Sequence, residues 1–282
     1  MIAPNRRAVA GSLFFSGYAA ASLSACANPV TTAPDALITE DVVIPGAGGY
    51  ALPAYVARPD DRARHGAIIV VNEIFGIHDY IKDVCRRFAR ESYVADAPDY
   101  FDRAGDPAPL TDWDQIRAIV ATATYEQTMG DTGGALEWLR GRPYFDGDAG
   151  ITVSAGGSAV VWMACARFDA LKAGVAWYGR LVGAETPAEN DPDRPWPVDI
   201  AGLLHTPVLG LYAEQDRGIP VSTVEQMRAA LQAADNPSGS EIIVYPGAGH
   251  GFHADYRESY NEAAATDGWA RALAWFRQHG VA

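Results

Sequence analysis

The chain has 282 residues, of which 49% are hydrophobic and 20% are charged, and its formal net charge at pH 7 is −13. This length allows one large domain whose core needs neither a metal ion nor a disulfide for its stability. The acidic balance argues against a nucleic-acid partner, because the phosphates would be repelled.

Residues 1–26 have the pattern of an export signal. Asn5-Arg6-Arg7 is a basic start, and residues 8–24 are apolar, small and uncharged. This stretch is too short and too rich in small residues to be a convincing membrane-spanning helix. Leu23-Ser24-Ala25-Cys26 resembles the bacterial lipobox, whose cysteine is lipidated, and the paired arginines resemble a twin-arginine signal.

We therefore expect an exported protein of the bacterial cell envelope, either periplasmic or lipid-anchored at Cys26. Residues 27–39 would then be a tether, because this stretch contains two prolines and several threonines. The alternative is a misplaced start codon or a buried apolar helix.

From residue 41 onward, strand and helix patterns alternate along the chain. Strands are predicted at residues 41–44, 50–56, 67–72, 93–97, 150–153, 173–177, 208–213 and 241–245, and helices at residues 79–91, 156–167, 221–234 and 261–279. Residues 112–140 are expected to form two helices, because glycines at 130 and 133–134 interrupt the pattern. Residues 182–205 are expected to be a loop that shapes a pocket.

This alternation predicts an α/β fold, in which helices cover both faces of a mostly parallel sheet. The sequence contains no internal repeat and no linker that would divide it, so residues 40–282 are predicted to form a single domain.

Residues whose side chains could take part in catalysis follow four of the predicted strands. Asn72-Glu73, Ser154, Asp216 and His250 each come shortly after a strand. In a parallel sheet the reactive groups gather beyond the carboxyl ends of the strands, so we expect these residues to meet at one edge. Their order, nucleophile before acid before histidine, is that of the α/β-hydrolases.

His250 lies in a glycine-rich loop, and imidazole is the usual general base near neutral pH. Asp216 is the candidate that orients this ring, although Glu214 is a rival and a helix-capping role is the alternative. Ser154 is the candidate nucleophile, since Ser154-Ala155-Gly156-Gly157 lies at a strand-to-helix junction. A helix N-cap serine is the alternative role for Ser154.

The remaining site predictions concern the pocket. The backbone N–H groups of Ala155 and Ile74 are candidates for the oxyanion hole. Glu73 is expected at the pocket floor, or else paired with an arginine at the sheet edge. His253 and Tyr178 are expected to line the pocket. The spacing of His, Cys, Asp and Glu residues predicts no metal site.

Four stretches resemble the dienelactone hydrolase family, a branch of the α/β-hydrolases. They are VNEIFG at residues 71–76, APDY at 97–100, AGVAWYG at 173–179, and residues 245–256. The resemblance runs from about Glu40 to the C-terminus. It implies an eight-stranded, mostly parallel sheet and cofactor-free hydrolysis of an ester or lactone. It assigns the acid to Asp216, the base to His250, and the glutamate that contacts the nucleophile to Glu73.

The sequence departs from this family at the nucleophile. The family has Gly-x-Cys-x-Gly-Gly there, and this chain has no cysteine at that place. Alignment on Gly156-Gly157 puts Ser154 at the nucleophile position, whereas ungapped alignment between Ile151 and Trp162 puts Ala155 there. We favour Ser154, because it has the required hydroxyl and small neighbours.

A second departure concerns the substrate. The members that cleave dienelactone bind its carboxylate through arginines, one of them four residues after the histidine, and that position is Ala254 here. A substitute could come from elsewhere in the chain: Arg257, Arg217, Arg180 or Arg103.

The sequence thus predicts a monomeric, carboxymethylenebutenolidase-like hydrolase of small esters or lactones. It would use a Ser-His-Asp triad and an acyl-enzyme, with no cofactor. The alternative is a non-catalytic hydrolase-fold protein that binds a ligand, and a peptidase on the same fold is a third hypothesis.

Overall fold

A computed structural model of the protein describes residues 29–153, 157–183 and 191–282. The strands of these ranges are β1 Leu37–Pro45, β2 Ala51–Pro59, β3 His65–Val71, β4 Val94–Pro98, β5 Phe145–Val153, β6 Leu171–Trp177, β7 Val208–Ala213 and β8 Glu241–Tyr245. The helices are α1 Asp79–Arg90, α2 Trp113–Val120, α3 Tyr125–Arg140, α4 Ser158–Arg167, α5 Val221–Ala233 and α6 Glu262–Gln278. Short 3-10 segments span Ala47–Gly49 and Pro197–Leu203.

The eight strands form one sheet in the order β1-β2-β4-β3-β5-β6-β7-β8. Strands β3 to β8 are parallel to their neighbours, while β1 and β2 pair antiparallel with each other and β2 pairs antiparallel with β4. The predicted α/β-hydrolase architecture is confirmed. The carboxyl ends of β3, β5, β6, β7 and β8 consequently lie side by side along one edge.

Two apolar layers enclose the sheet, as the continuous apolar run of β3 predicts. Ile69 and Val71 face the layer that contains α3 and α4, while Ile68 and Val70 face the layer that contains α1 and α6. All four side chains are fully buried. The sheet is therefore held between helices, and its strand ends are rigid supports for a site.

The helical region before β5 differs from the prediction in one respect. Two helices do form, but the break lies between α2 and α3, and Gly130 and Gly134 lie inside a continuous α3. A Cβ on Gly134 would lie 1.7 Å from the carbonyl oxygen of Pro45, and one on Gly130 would lie 2.7 Å from Cβ of Ala47. These glycines therefore allow the last residues of β1 to pack directly on α3. They do not terminate that helix.

The segment before β1 is bound to α1. The Thr32 N–H donates to Oδ1 of Asp83 at 2.6 Å, and Arg86 Nε donates to the carbonyl oxygen of Thr32 at 3.0 Å. Strand β1 begins at Leu37. Much of the segment predicted as a tether is thus packed or hydrogen-bonded, from Thr32 onward. In the described part of the chain, no helix combines the length and apolarity that crossing a bilayer requires.

Candidate active site

His250 and Asp216 form a hydrogen-bonded pair at the carboxyl edge of the sheet. His250 Nδ1 lies 2.7 Å from Oδ2 of Asp216. The Asp216 side chain is 1% exposed and that of His250 is 9% exposed. Asp216 follows β7 and His250 follows β8, and these strands are neighbours, so the parallel sheet brings together two residues 34 positions apart. The predicted partners therefore meet.

The loop after β7 fixes Asp216 as the partner of the histidine. Its Oδ1 accepts hydrogen bonds from the N–H groups of Gly218 at 2.8 Å and Ile219 at 3.0 Å, which leaves Oδ2 for His250. Asp216 thus both organises its own loop and orients the ring. The rival residue Glu214 is exposed, and it accepts a hydrogen bond from the Gly247 N–H at 2.9 Å.

This geometry determines which nitrogen of His250 is available. A carboxylate can only accept a hydrogen bond, so Nδ1 carries the proton that it donates to Asp216. Nε2 is then the basic nitrogen of the neutral ring. Nε2 makes no hydrogen bond with the described residues. The pair has the chemistry of a general base that can take a proton from a hydroxyl or from water.

Of the two candidate oxyanion donors, Ile74 lies among the described residues. Ile74 is 7% exposed, and its N–H makes no hydrogen bond in the described part of the chain. Buried backbone donors are usually paired, so an open N–H at this edge is available to a ligand oxygen. Ser154 and Ala155, the predicted nucleophile and second donor, lie outside the described residues.

Glu73 is the centre of a second polar cluster, which follows β3. Its Oε1 receives hydrogen bonds from His78 Nε2 at 2.7 Å and from the Tyr256 hydroxyl, and its Oε2 receives one from Arg257 Nη2 at 2.5 Å. Glu73 is completely buried. Glu73 is thus paired with an arginine, Arg257, in this structure.

The electrostatics of this cluster keep Glu73 charged. Burial opposes ionisation, but the Arg257 guanidinium and the donors from His78 and Tyr256 more than offset it, so the pKa of Glu73 is lowered. Burial opposes the charge of Arg257 as well, yet Glu73 raises the pKa of that guanidinium. Burial and the neighbouring carboxylate raise the pKa of the Tyr256 phenol, which stays protonated and donates.

Tyr178 lies beside the His250-Asp216 pair, immediately after β6. The edge of its ring contacts His250, with 5.3 Å between the ring centroids. It is completely buried, and its backbone φ is +35°, which is strained for a bulky residue. Tyr178, predicted to line the pocket, thus packs against the ring of His250.

His253 is buried in a different environment. Its Nδ1 lies 2.7 Å from the Tyr80 hydroxyl, and its ring packs between Trp177 and Trp269. Burial lowers the pKa of His253 to about 3, so the ring stays neutral. It borders a cavity of about 350 Å³ that also includes residues of α1 and α6.

The four candidate arginines have different environments. Arg257 is bound to Glu73, and Arg103 forms an ion pair with Asp131 at 2.7 Å. Arg217 is exposed. The Nε of Arg180 is buried and has no hydrogen-bond partner in the described ranges, and burial lowers the pKa of Arg180 while Asp216 opposes that effect. Ala254 is completely buried, and its methyl group has no donor for a substrate carboxylate.

The sequence predictions missed the cluster around Glu73. His78, Tyr256 and Arg257 are distributed over 180 positions, and no local pattern links them to the glutamate. The available signal was the position of His78, two residues beyond the VNEIFG stretch and directly before a predicted helix.

Comparison with known proteins identifies the family of this chain. Residues 52–280 match the Dienelactone hydrolase family. A Methylorubrum extorquens protein named "Putative carboxymethylenebutenolidase" is 44% identical over an alignment of 282 positions that covers 99% of this chain and 94% of that protein. A protein of the same name from Escherichia coli K12 is 43% identical over 270 residues, covering 94% of this chain and 96% of its own.

A solved structure is similar along its whole length. The crystal structure named "Putative Dienelactone Hydrolase", from Klebsiella pneumoniae, has a TM-score of 0.80 and 43% sequence identity. The match covers 86% of this chain and 100% of that one.

Proposed function

Since this chain belongs to the dienelactone hydrolase family and is a hydrolase, we propose that it cleaves small carboxylic esters or lactones through a Ser154-His250-Asp216 triad and an acyl-enzyme. The observation that carries this proposal is the hydrogen bond of 2.7 Å between His250 and the buried Asp216. Strand β5 ends at Val153, the residue before Ser154 in the sequence, and it lies between β3 and β6 in the sheet.

In the first step, the Ser154 oxygen attacks the substrate carbonyl carbon while His250 Nε2 takes the hydroxyl proton. Asp216 stabilises the imidazolium that forms. The negative charge moves to the carbonyl oxygen, which receives hydrogen bonds from the N–H groups of Ile74 and Ala155. The imidazolium then returns its proton to the leaving oxygen, and the acyl-enzyme remains.

In the second step, His250 takes a proton from a water molecule that attacks the acyl carbon. The imidazolium then protonates the Ser154 oxygen as the carboxylic acid leaves. For a lactone, the leaving hydroxyl stays attached to the acyl chain, so the product is a single hydroxy acid. The cycle needs no cofactor, because every proton passes through His250.

A second candidate follows from the packing of Gly157. A Cβ on this residue would lie 2.8 Å from Cγ1 of Val71 and 2.9 Å from Cγ2 of Val153. The nucleophile elbow requires a small residue two positions after the nucleophile. Counting back from Gly157 gives Ala155, which has no nucleophilic atom. In that register, the His250-Asp216 pair would activate water directly, or the site would bind a ligand without turnover.

Kinetics of two serine variants separate these candidates. The Ser154→Ala variant should lose at least about 1,000-fold in kcat on a p-nitrophenyl ester, because the triad cannot work without its nucleophile. Ser222→Ala, at an exposed position of α5, is the matched control and should keep wild-type turnover. A Ser154→Ala enzyme with wild-type rates would favour the water mechanism. Inertness of the wild type toward an ester panel would favour ligand binding.

We also propose that the protein is exported to the cell envelope and lipidated at Cys26. The support is the basic and apolar pattern of residues 1–26 together with the lipobox-like Leu23-Ser24-Ala25-Cys26. Growth with labelled palmitate should label the wild type but not the Cys26→Ala variant. Absence of label from the wild type would end the lipidation proposal.

A further inference from the structure

His78 and Glu73 form a second histidine-carboxylate pair at the same sheet edge. His78 Nε2 lies 2.7 Å from Oε1 of Glu73, the separation also found between His250 and Asp216. Both carboxylates are buried, with the Glu73 side chain 0% and the Asp216 side chain 1% exposed. The proposed triad uses the His250-Asp216 pair, and none of the proposed proton transfers involves His78.

The contacts of Glu73 determine which nitrogen of His78 is open. Glu73 is ionised, held by Arg257 and Tyr256, and can only accept hydrogen bonds. His78 Nε2 must therefore carry the proton that it donates to Glu73. In the neutral ring, Nδ1 is left with an unshared electron pair and acts as an acceptor.

This acceptor is accessible. The His78 side chain is 19% exposed, and its Nδ1 makes no hydrogen bond in the described part of the chain. His78 occupies the N-cap position of α1, but its side chain does not cap the helix. The edges of Phe75 and Tyr256 pack against the ring at centroid distances of 6.0 and 5.3 Å. The ring is thus held in place and presents one unused nitrogen.

The position of His78 places it near the proposed reaction. Ile74, the proposed oxyanion donor, directly follows Glu73, and a hydrogen bond of 2.9 Å from the Gly76 N–H to the Glu73 carbonyl closes this turn. Arg257, which anchors Glu73 from the other side, lies in the loop that carries His250. The cluster therefore borders the place where the substrate carbonyl would bind.

We propose that His78 is a specificity-determining residue, whose Nδ1 accepts a hydrogen bond from a hydroxyl group that the substrate carries next to its scissile carbonyl. The inference rests on the proposed function, because Ile74 would fix the carbonyl. Arg257 already balances the charge of Glu73, so the cluster suits a neutral polar group better than a carboxylate. A hydroxyl also fits both protonation states of His78, since it can donate to the neutral ring or accept from the protonated one.

The direct test compares two lactones that differ by one hydroxyl, α-hydroxy-γ-butyrolactone and γ-butyrolactone. In the His78→Phe variant, kcat/KM for the hydroxylated lactone should fall at least about tenfold, while that for γ-butyrolactone should stay within about threefold. His205→Phe is the matched control, because His205 pairs with Asp169 at 2.8 Å on the surface. That variant should change neither value. Equal losses for both lactones in His78→Phe would overturn the inference.

A binding measurement tests the contact between His78 Nδ1 and the hydroxyl group even if neither lactone is cleaved. Histidine ¹⁵N resonances are recorded for the Ser154→Ala protein, and His78→Phe identifies the His78 signal. The hydroxylated lactone should shift the Nδ1 resonance of His78, and γ-butyrolactone should leave it in place. If both lactones or neither shift it, the inference is wrong. If the shift is found without turnover by the wild type, only the proposed function fails.

Discussion

Arg257 and Glu73 are 184 positions apart in the chain, and Nη2 of the arginine lies 2.5 Å from Oε2 of the glutamate. The arginine belongs to the loop after β8 that carries His250, and the glutamate begins the turn after β3 that carries Ile74. Their ion pair therefore ties the loop of the proposed base to the turn of the proposed oxyanion donor. Both side chains are buried, so solvent screens this contact weakly.

Replacement of Arg257 by glutamine should be strongly destabilising. The change leaves the Glu73 carboxylate buried without its counter-charge, and breaking such a pair costs about 3–5 kcal/mol of unfolding free energy. Urea unfolding at pH 7 measures this loss of unfolding free energy. Arg217→Gln, at an exposed position, is the control and should change stability by less than about 0.5 kcal/mol. Equal stabilities of the two variants would contradict this account of the cluster.

The same variant should alter the acid dependence of stability. The pKa of Glu73 is lower in the folded protein than its ordinary value of 4.5. Its ionised form therefore contributes stability that is fully present above that value and is lost as pH falls through the folded pKa. Since Arg257 is the main favourable cause, the stability difference between wild type and Arg257→Gln should shrink with acidification below pH 4.5. A difference that grows in acid would contradict this sign.

Asp216 and Glu214 provide a matched pair of carboxylates. Asp216→Asn keeps the shape of the side chain but removes the charge that orients His250, and a loss of about 10⁴-fold in kcat is typical of this change in a triad. Glu214→Gln should keep kcat within about threefold, because the Glu214 carboxylate is exposed and, among the described residues, accepts a hydrogen bond only from the Gly247 N–H. The kcat of each variant is measured by hydrolysis of a p-nitrophenyl ester. Comparable losses would mean that the acid has been misassigned.

The buried carboxyl group of Asp96 should make the stability of the fold depend on pH, independently of catalysis. Both of its carboxyl oxygens are buried and have no hydrogen-bond partner among the described residues, and burial raises the pKa of Asp96 to about 8. Its protonated form is therefore favoured in the folded state, and stability declines as pH rises from the unfolded pKa to about 8.

Asp96→Asn removes this titration while nearly keeping the side-chain volume. Between about pH 4 and 8, the stability of the wild type relative to this variant should fall by roughly 1.4 kcal/mol per pH unit. Urea unfolding across that range checks the slope. Parallel stability curves would show that Asp96 is ionised at neutral pH in the folded protein.

Gly134 offers a test of helix packing. Alanine is usually more favourable than glycine inside a helix by about 1 kcal/mol. At Gly134, however, the new Cβ would lie 1.7 Å from the carbonyl oxygen of Pro45, so Gly134→Ala should instead destabilise the fold by more than about 2 kcal/mol. In Gly133→Ala the Cβ would meet the Phe168 ring at 3.3 Å, and that ring can shift. Thermal unfolding of both variants separates them, and equal melting temperatures would refute the packing argument.

The elements and the His250-Asp216 pair were predictable from the sequence because each depends on local pattern and strand order. His250 and Asp216 each follow an apolar run, and the parallel topology makes them neighbours. The position of the break before α3 was not predictable, because Gly130 and Gly134 are explained by contacts with residues 45–47 in another part of the chain. From helix propensity alone, such glycines are predicted to interrupt a helix.

The environment of Glu73 was also beyond sequence reasoning. An arginine partner was one of two alternatives, but nothing in the sequence selects Arg257, and the hydrogen bonds from His78 and Tyr256 depend on how two loops pack. The same holds for His253. Its sequence position suggests a pocket residue, while its burial between Trp177 and Trp269 follows from the docking of α6 on the sheet.

Mass spectrometry after treatment with a fluorophosphonate probe is the most direct test of the triad, because the probe phosphonylates only a serine that a neighbouring base has activated. The account predicts one adduct in the wild type, on Ser154, that is lost in the His250→Ala variant. An unmodified protein that still hydrolyses esters, or an adduct on a serine other than Ser154, would contradict it.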